Sequence, residues 1–147
     1  MSSSAPRTGT APRTGTAPRD LPEKAYAVAL ASVPGVGPKT LRRLLEGTVP
    51  HAAWEELVKG SPRVRASLRT ESARNDARKV DVAHVWATHV QAGVGVCVLG
   101  EPGYPAALRA DPEAPAVLFS LGSPRVVDTA PRVAIVGTRS ATRYGLV

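Results

Sequence analysis

Residues 132–147 read RVAIVGTRSATRYGLV. Four apolar residues, Val133 to Val136, run unbroken into Gly137. A short apolar run of this kind suits a strand buried on both faces of a parallel sheet. The turn after it then lies at the carboxyl end of the strand, where open α/β sheets hold ligands. Gly137 permits the turn, and Thr138 supplies a hydroxyl and an amide. Arg139 offers a planar fork that fits phosphate, and Arg143 lies about one helical turn further on. These residues suit an anion-binding turn or a Rossmann-type turn that holds no ligand. The spacing excludes two common cofactor loops. Gly137 and Gly145 stand eight apart with no G-x-G at this turn, and the G-K-[ST] of a nucleotide phosphate loop is missing. Neither NAD nor ATP is expected, and no other cofactor is implied.

Upstream of this run the grammar is mixed. VGVCVLG (94–100) is short and β-branched and reads as a strand. Residues 101–122 are rich in Pro and Gly, with Ala116–Phe119 as a second extended run. SPRVVDTAP (123–131) reads as a turn-rich connector. Residues 93–147 therefore look like the entry to an α/β domain.

Residues 20–92 follow a different period. Asp20-Leu-Pro-Glu23 matches a helix start with a capping box. The helix after it carries Tyr26, Leu30 and Val33 on one face and stops at Pro34-Gly35. A second helix, VGPKTLRRLLEG, turns Leu41, Leu44 and Leu45 inward and Lys39, Arg42 and Arg43 outward. A third buries Trp54, Leu57 and Val58 and ends at Gly60. A long helix is expected from about Thr70 to Ala92, with Ala73, Ala77, Val80, Ala83, Ala87 and Val90 inward and Gly93 as its stop. Four helices in this stretch make a small helical domain. Residues 1–19 repeat APRTGT and hold nothing to bury, so they read as a disordered basic leader.

Two helices around Val33-Pro34-Gly35-Val36-Gly37-Pro38-Lys39-Thr40 form a second candidate site. Gly35 and Gly37 let backbone approach a phosphate, first-turn amides point outward, and Lys39, Arg42 and Arg43 add charge. This is the physics of a helix-hairpin-helix DNA module. The same residues also suit an ordinary helix–helix corner, and Pro38 removes one of the amides.

The chain of 147 residues carries a formal charge of +7. Most of the excess lies in residues 21–100, with eleven Lys/Arg against seven Asp/Glu. That balance favours a polyanionic partner or a solvated basic surface. Aromatic residues make up 4 %, too few for an extended base-stacking platform. Trp54 and Trp86 read as core anchors. Cys97 is the single cysteine, which excludes an intrachain disulfide, fits a reducing cytoplasm and reads as a small core residue. His84 and His89 stand five apart on a helix, without a companion cluster, so no metal site is expected. No run is long enough to span a membrane, and no secretory signal opens the chain.

The order of these parts resembles the DNA-processing protein A family (DprA, also called Smf). The residues that carry the likeness are Tyr104-Pro105, Leu108, Asp111-Pro112, Pro115, Leu118-Phe119 and Gly122. Val133 to Gly145 follows them, and a helical domain precedes them. The resemblance implies a small N-terminal helical domain, of the SAM or helix-hairpin-helix kind, followed by the first strands of a Rossmann-like domain. It implies single-stranded DNA binding, with loading of the RecA recombinase during natural transformation, as a homodimer, in the cytoplasm and without catalysis. It places Arg139 in the pocket that holds DNA phosphates, with Thr138 where the family has serine. The family's Rossmann core continues well past this turn, so the chain reads as a fragment, with a marginally stable helical domain and a poorly supported last segment. Two rivals stand beside this reading. One is a Rossmann nucleotide hydrolase of the lysine-decarboxylase-like (LOG) type, and the other a helical protein-interaction module.

Overall fold

The computed structural model describes residues 21–67, 71–129, 131 and 133. Among these, six helices come first: α1 (Glu23–Ser32), α2 (Pro38–Leu45), α3 (Pro50–Lys59), α4 (Pro62–Ser67), α5 (Glu71–Ala77) and α6 (Val82–Gln91). Strand β1 (Gly95–Val98), the short helix α7 (Ala106–Arg109), strand β2 (Val117–Ser120) and a 3₁₀ turn over Pro124–Asp128 follow. The described residues are thus mainly helical, with one small sheet.

Helix α1 is the centre of the core. Its sequence, EKAYAVALAS, marks one apolar face by spacing, yet every residue from Ala25 to Leu30 is buried. Alternating alanines let α3, α6 and β1 close in on different sides of it. A helix that is apolar all round becomes a core element rather than an amphipathic cover. Leu41 and Leu44 of α2 and Ala53, Trp54 and Leu57 of α3 complete this core, with Val64 of α4. Leu45 and Val58, expected inward, are only half-buried against its rim. Gly60 ends α3 in the left-handed region at φ 75°, its amide on the Glu56 carbonyl.

Two expectations from the sequence are corrected. The single helix over 70–92 is two helices, with a turn between them. Lys79 N donates to Asp76 O and Val80 N to Ala77 O, closing α5, and Asp81 then accepts from His84 N at 3.1 Å and starts α6. An Asp at this position satisfies an otherwise unpaired amide at a helix start. The break leaves Ala73, Ala77 and Val82 buried but turns Ala87 and Val90 to solvent. The start of the first helix is also shifted: Pro22 is the N-cap of α1, with no side-chain cap. Asp20 lies outside the described residues, and Glu23 turns away to accept from His51 N and Nδ1 at the start of α3.

Strands β1 and β2 pair antiparallel, in register Gly95↔Ser120, Val96↔Phe119, Cys97↔Leu118 and Val98↔Val117. One face of the pair packs on the helices: Ala116 and Val117 belong to the same core as Leu30 and Leu57, so that core runs across residue 93. The strand expected at 133–136 lies outside the described residues but for Val133, which is 87 % exposed.

The connection 99–116 is braced from within. Tyr104 is buried and its hydroxyl donates to Pro115 O at 2.8 Å, while Leu99 N donates to Ala116 O at 2.8 Å. Arg109 Nη2 donates to the carbonyls of Glu101 and Tyr104. The Asp128 carboxylate accepts from Ala106 N and Ala107 N, at 3.1 and 2.8 Å, and so caps α7 from the 3₁₀ turn.

Candidate nucleic-acid interface

The hairpin between α1 and α2 is set by one glycine. Gly35 has φ 84°, and a Cβ there would lie 3.8 Å from Ala73 Cβ. Gly37 is different: its backbone is extended at φ −79°, and a Cβ there would meet nothing within 4 Å. The turn itself therefore does not demand glycine at 37. Pro38 opens α2 and Leu41 N closes its first turn on Gly37 O at 2.9 Å.

Lys39, Arg42 and Arg43 share the outer face of α2, as the three- and four-residue spacings require. The structure brings a chain segment against that face. Arg42 Nη1 donates to Ala114 O at 3.0 Å, and Lys39 Nζ stands 3.8 Å from Glu113 Oε1. Arg42 thus holds the connection before β2, a long-range contact that local spacing does not reveal.

Other arginines have structural partners as well. Arg63 Nη2 donates to the carbonyls of Arg43, Leu44 and Glu46, and its Nη1 lies 3.3 Å from the Glu56 carboxylate. These carbonyls end α2, where unpaired acceptors carry partial negative charge that a guanidinium offsets. At the end of α3, Arg65 Nε donates to Gly60 O and Arg78 Nε to Val58 O. Arg74 lies so close that a Cβ on Gly60 would collide with its guanidinium. Three arginines of the helical segment, Arg63, Arg65 and Arg78, are therefore fastened to carbonyls near helix ends.

The rings are grouped more than the composition suggests. Trp54 is buried in the core. Trp86 stacks on His89 with centroids 6.1 Å apart, and His89 meets the edge of Phe119 at 5.3 Å. Phe119 is 47 % exposed. Neither α6 nor β2, the elements that carry this row, contains a Lys or Arg, so they bring no cation of their own for a phosphate.

Cys97 is buried in β1. Burial pushes its thiol above the ordinary value of 9.0, and the neighbouring Glu101 carboxylate adds to the shift. Burial likewise raises Tyr104 above 10.0. A thiol with a raised pKa is a weaker nucleophile, and Cys97 Sγ faces Gly103 of the 99–116 connection. Among the described residues no group of three His, Cys, Asp or Glu is placed to hold a metal ion. No helix of the described residues is long and apolar enough to cross a membrane.

Gly137, Thr138, Arg139 and Arg143 lie outside the described residues. No curated protein and no solved structure matches the chain. A family model does match, over residues 95–147, just over a third of the chain and the part that includes all four of those residues. The family is described as DNA recombination-mediator protein A, and the match supports the resemblance to the DNA-processing protein A family and a role in DNA processing during recombination.

Proposed function

We propose that the chain contributes to a single-stranded DNA site of the DNA-processing protein A type, and that it contacts DNA by phosphates rather than base edges. The observation that carries this reading is the family match over residues 95–147. The residues assigned to the contact are Gly137, Thr138, Arg139 and Arg143. Gly35, Gly37, Lys39 and Arg42 are a secondary contact on the hairpin. In this reading the protein is cytoplasmic and non-catalytic, acts as a homodimer, and delivers its strand to RecA.

Phosphate-led binding weakens with salt, by a slope of roughly 0.7 per phosphate neutralised on single strands. A fluorescence-anisotropy titration of a labelled oligothymidine against salt tests this. Arg139→Ala is expected to lower affinity about tenfold, equally for different base sequences, through loss of one charge-assisted contact. Unchanged affinity for that variant removes Arg139 from the site.

The rival reading as a helical protein-interaction module is favoured by one observation: Arg63, Arg65 and Arg78 are turned onto carbonyls. Absence of oligothymidine binding at low salt selects that reading.

A further inference from the structure

The outer face of α2 carries three cations, and the segment lying against it is acidic. Residues 111–114 read Asp-Pro-Glu-Ala. This turn is not loosely placed. Asp111 Oδ1 accepts from Glu113 N at 2.7 Å, and Asp111 O accepts from Ala114 N at 2.9 Å. Ala114 is 2 % exposed, and its carbonyl accepts from Arg42. Anchoring residue 114 to Arg42 puts residue 113 over Lys39, one turn earlier on the same face. The two charged ends meet at 3.8 Å while their side chains remain 93 % and 81 % exposed. Each is thus free to exchange its partner, and solvent screens the pair.

We infer that the Asp111–Ala114 turn is an internal competitor for nucleic-acid phosphate on the basic face of α2, with the Glu113 carboxylate standing where a phosphate would pair with Lys39. A strand that reaches this face displaces Glu113 from Lys39 and leaves the Arg42–Ala114 bond in place. The face then gains one free cation, and the turn keeps its anchor. The inference rests on the reading that the chain binds single-stranded DNA.

The test is a double-mutant cycle on the full chain, read by oligothymidine anisotropy at low salt. Glu113→Gln is expected to tighten binding about threefold, the scale of an exposed pair, and the gain should fade near physiological salt as charges are screened. Glu55→Gln removes an equal charge from the pair with Lys59 and serves as the control for net charge. In a Lys39→Gln background the Glu113→Gln gain should vanish. An equal gain from Glu55→Gln, or a gain that survives in the Lys39→Gln background, overturns the inference alone. A chain and variants that bind no oligothymidine at low salt overturn the single-strand reading and the inference with it.

Discussion

Arg63 and Lys39 are both cations on short helices of one small core, and they do opposite things. Arg63 reaches across to three carbonyls at the end of α2 and to the Glu56 carboxylate, and its side chain is about one-third exposed. Lys39 projects from the same α2 and meets a single carboxylate with 93 % of its side chain in solvent. The difference teaches that net charge does not measure a binding surface. A guanidinium that satisfies helix-end acceptors contributes to stability and is held there. An exposed ammonium contributes little to stability and is available to a ligand.

The largest expected effect follows from the first half of that contrast. Arg63→Ala leaves the α2 terminal carbonyls without their donor and should lower stability by about 2 kcal/mol, read as a fall in the urea midpoint. Its effect on oligothymidine affinity should be small once folding is restored by lower temperature. A variant with normal stability and lost DNA affinity would reverse the roles assigned to Arg63 and Lys39.

Gly60 sharpens the same contrast at the end of α3. Its left-handed backbone and the crowding by Arg74 act together. Gly60→Ala should cost about 1–2 kcal/mol, from the backbone preference and the displaced guanidinium. Thermal unfolding gives the value, and Gly37→Ala is the control. Gly37 is extended with open space around it, so alanine there should change stability far less. Equal losses at both positions would show that the hairpin is as constrained as the α3 end.

The β1–β2 unit, with its 99–116 connection, has its own dependence on alkali. Cys97 and Tyr104 both have folded pKa values raised by burial, from 9.0 and 10.0. The neutral forms are therefore favoured on folding, and their contribution is complete below those ordinary values. It is lost as pH rises through the raised ones. The urea midpoint should fall above pH 9, and Cys97→Ala with Tyr104→Phe should flatten that fall. A profile that stays equally steep in the double variant would place the alkaline sensitivity elsewhere.

Local pattern made part of this legible. The spacing of Leu41, Leu44, Trp54 and Leu57 located the buried faces of α2 and α3, and Gly60 and Gly93 located two helix ends. The apolar runs at 94–100 and 116–119 contain β1 and β2. What spacing did not show is contact between distant residues. The 70–92 stretch keeps a continuous three-and-four period across a break that Asp81 makes by accepting from His84 N. The bonds from Arg42 to Ala114, Arg63 to the α2 end and Asp128 to α7 join residues far apart in the chain, and no local pattern encodes them. The four residues of the Gly137 turn were legible only as a motif with a strand before it. The family match over 95–147 spans the motif, whose geometry lies outside the described residues.

The smallest effect on stability is also the one that bears most directly on function. Lys39 has no buried carbons to lose, and its ion pair is screened on both sides by water. Lys39→Gln should therefore shift the urea midpoint by no more than about 0.5 kcal/mol equivalent. Its consequence belongs to binding: at low salt the variant should bind oligothymidine less tightly and lose about 0.7 from the slope of log affinity against log salt. Stability and affinity then move independently at position 39 and oppositely to position 63. A Lys39→Gln chain that loses stability like Arg63→Ala would mean that the Glu113 contact is structural, and that both ends of α2 serve the fold alone.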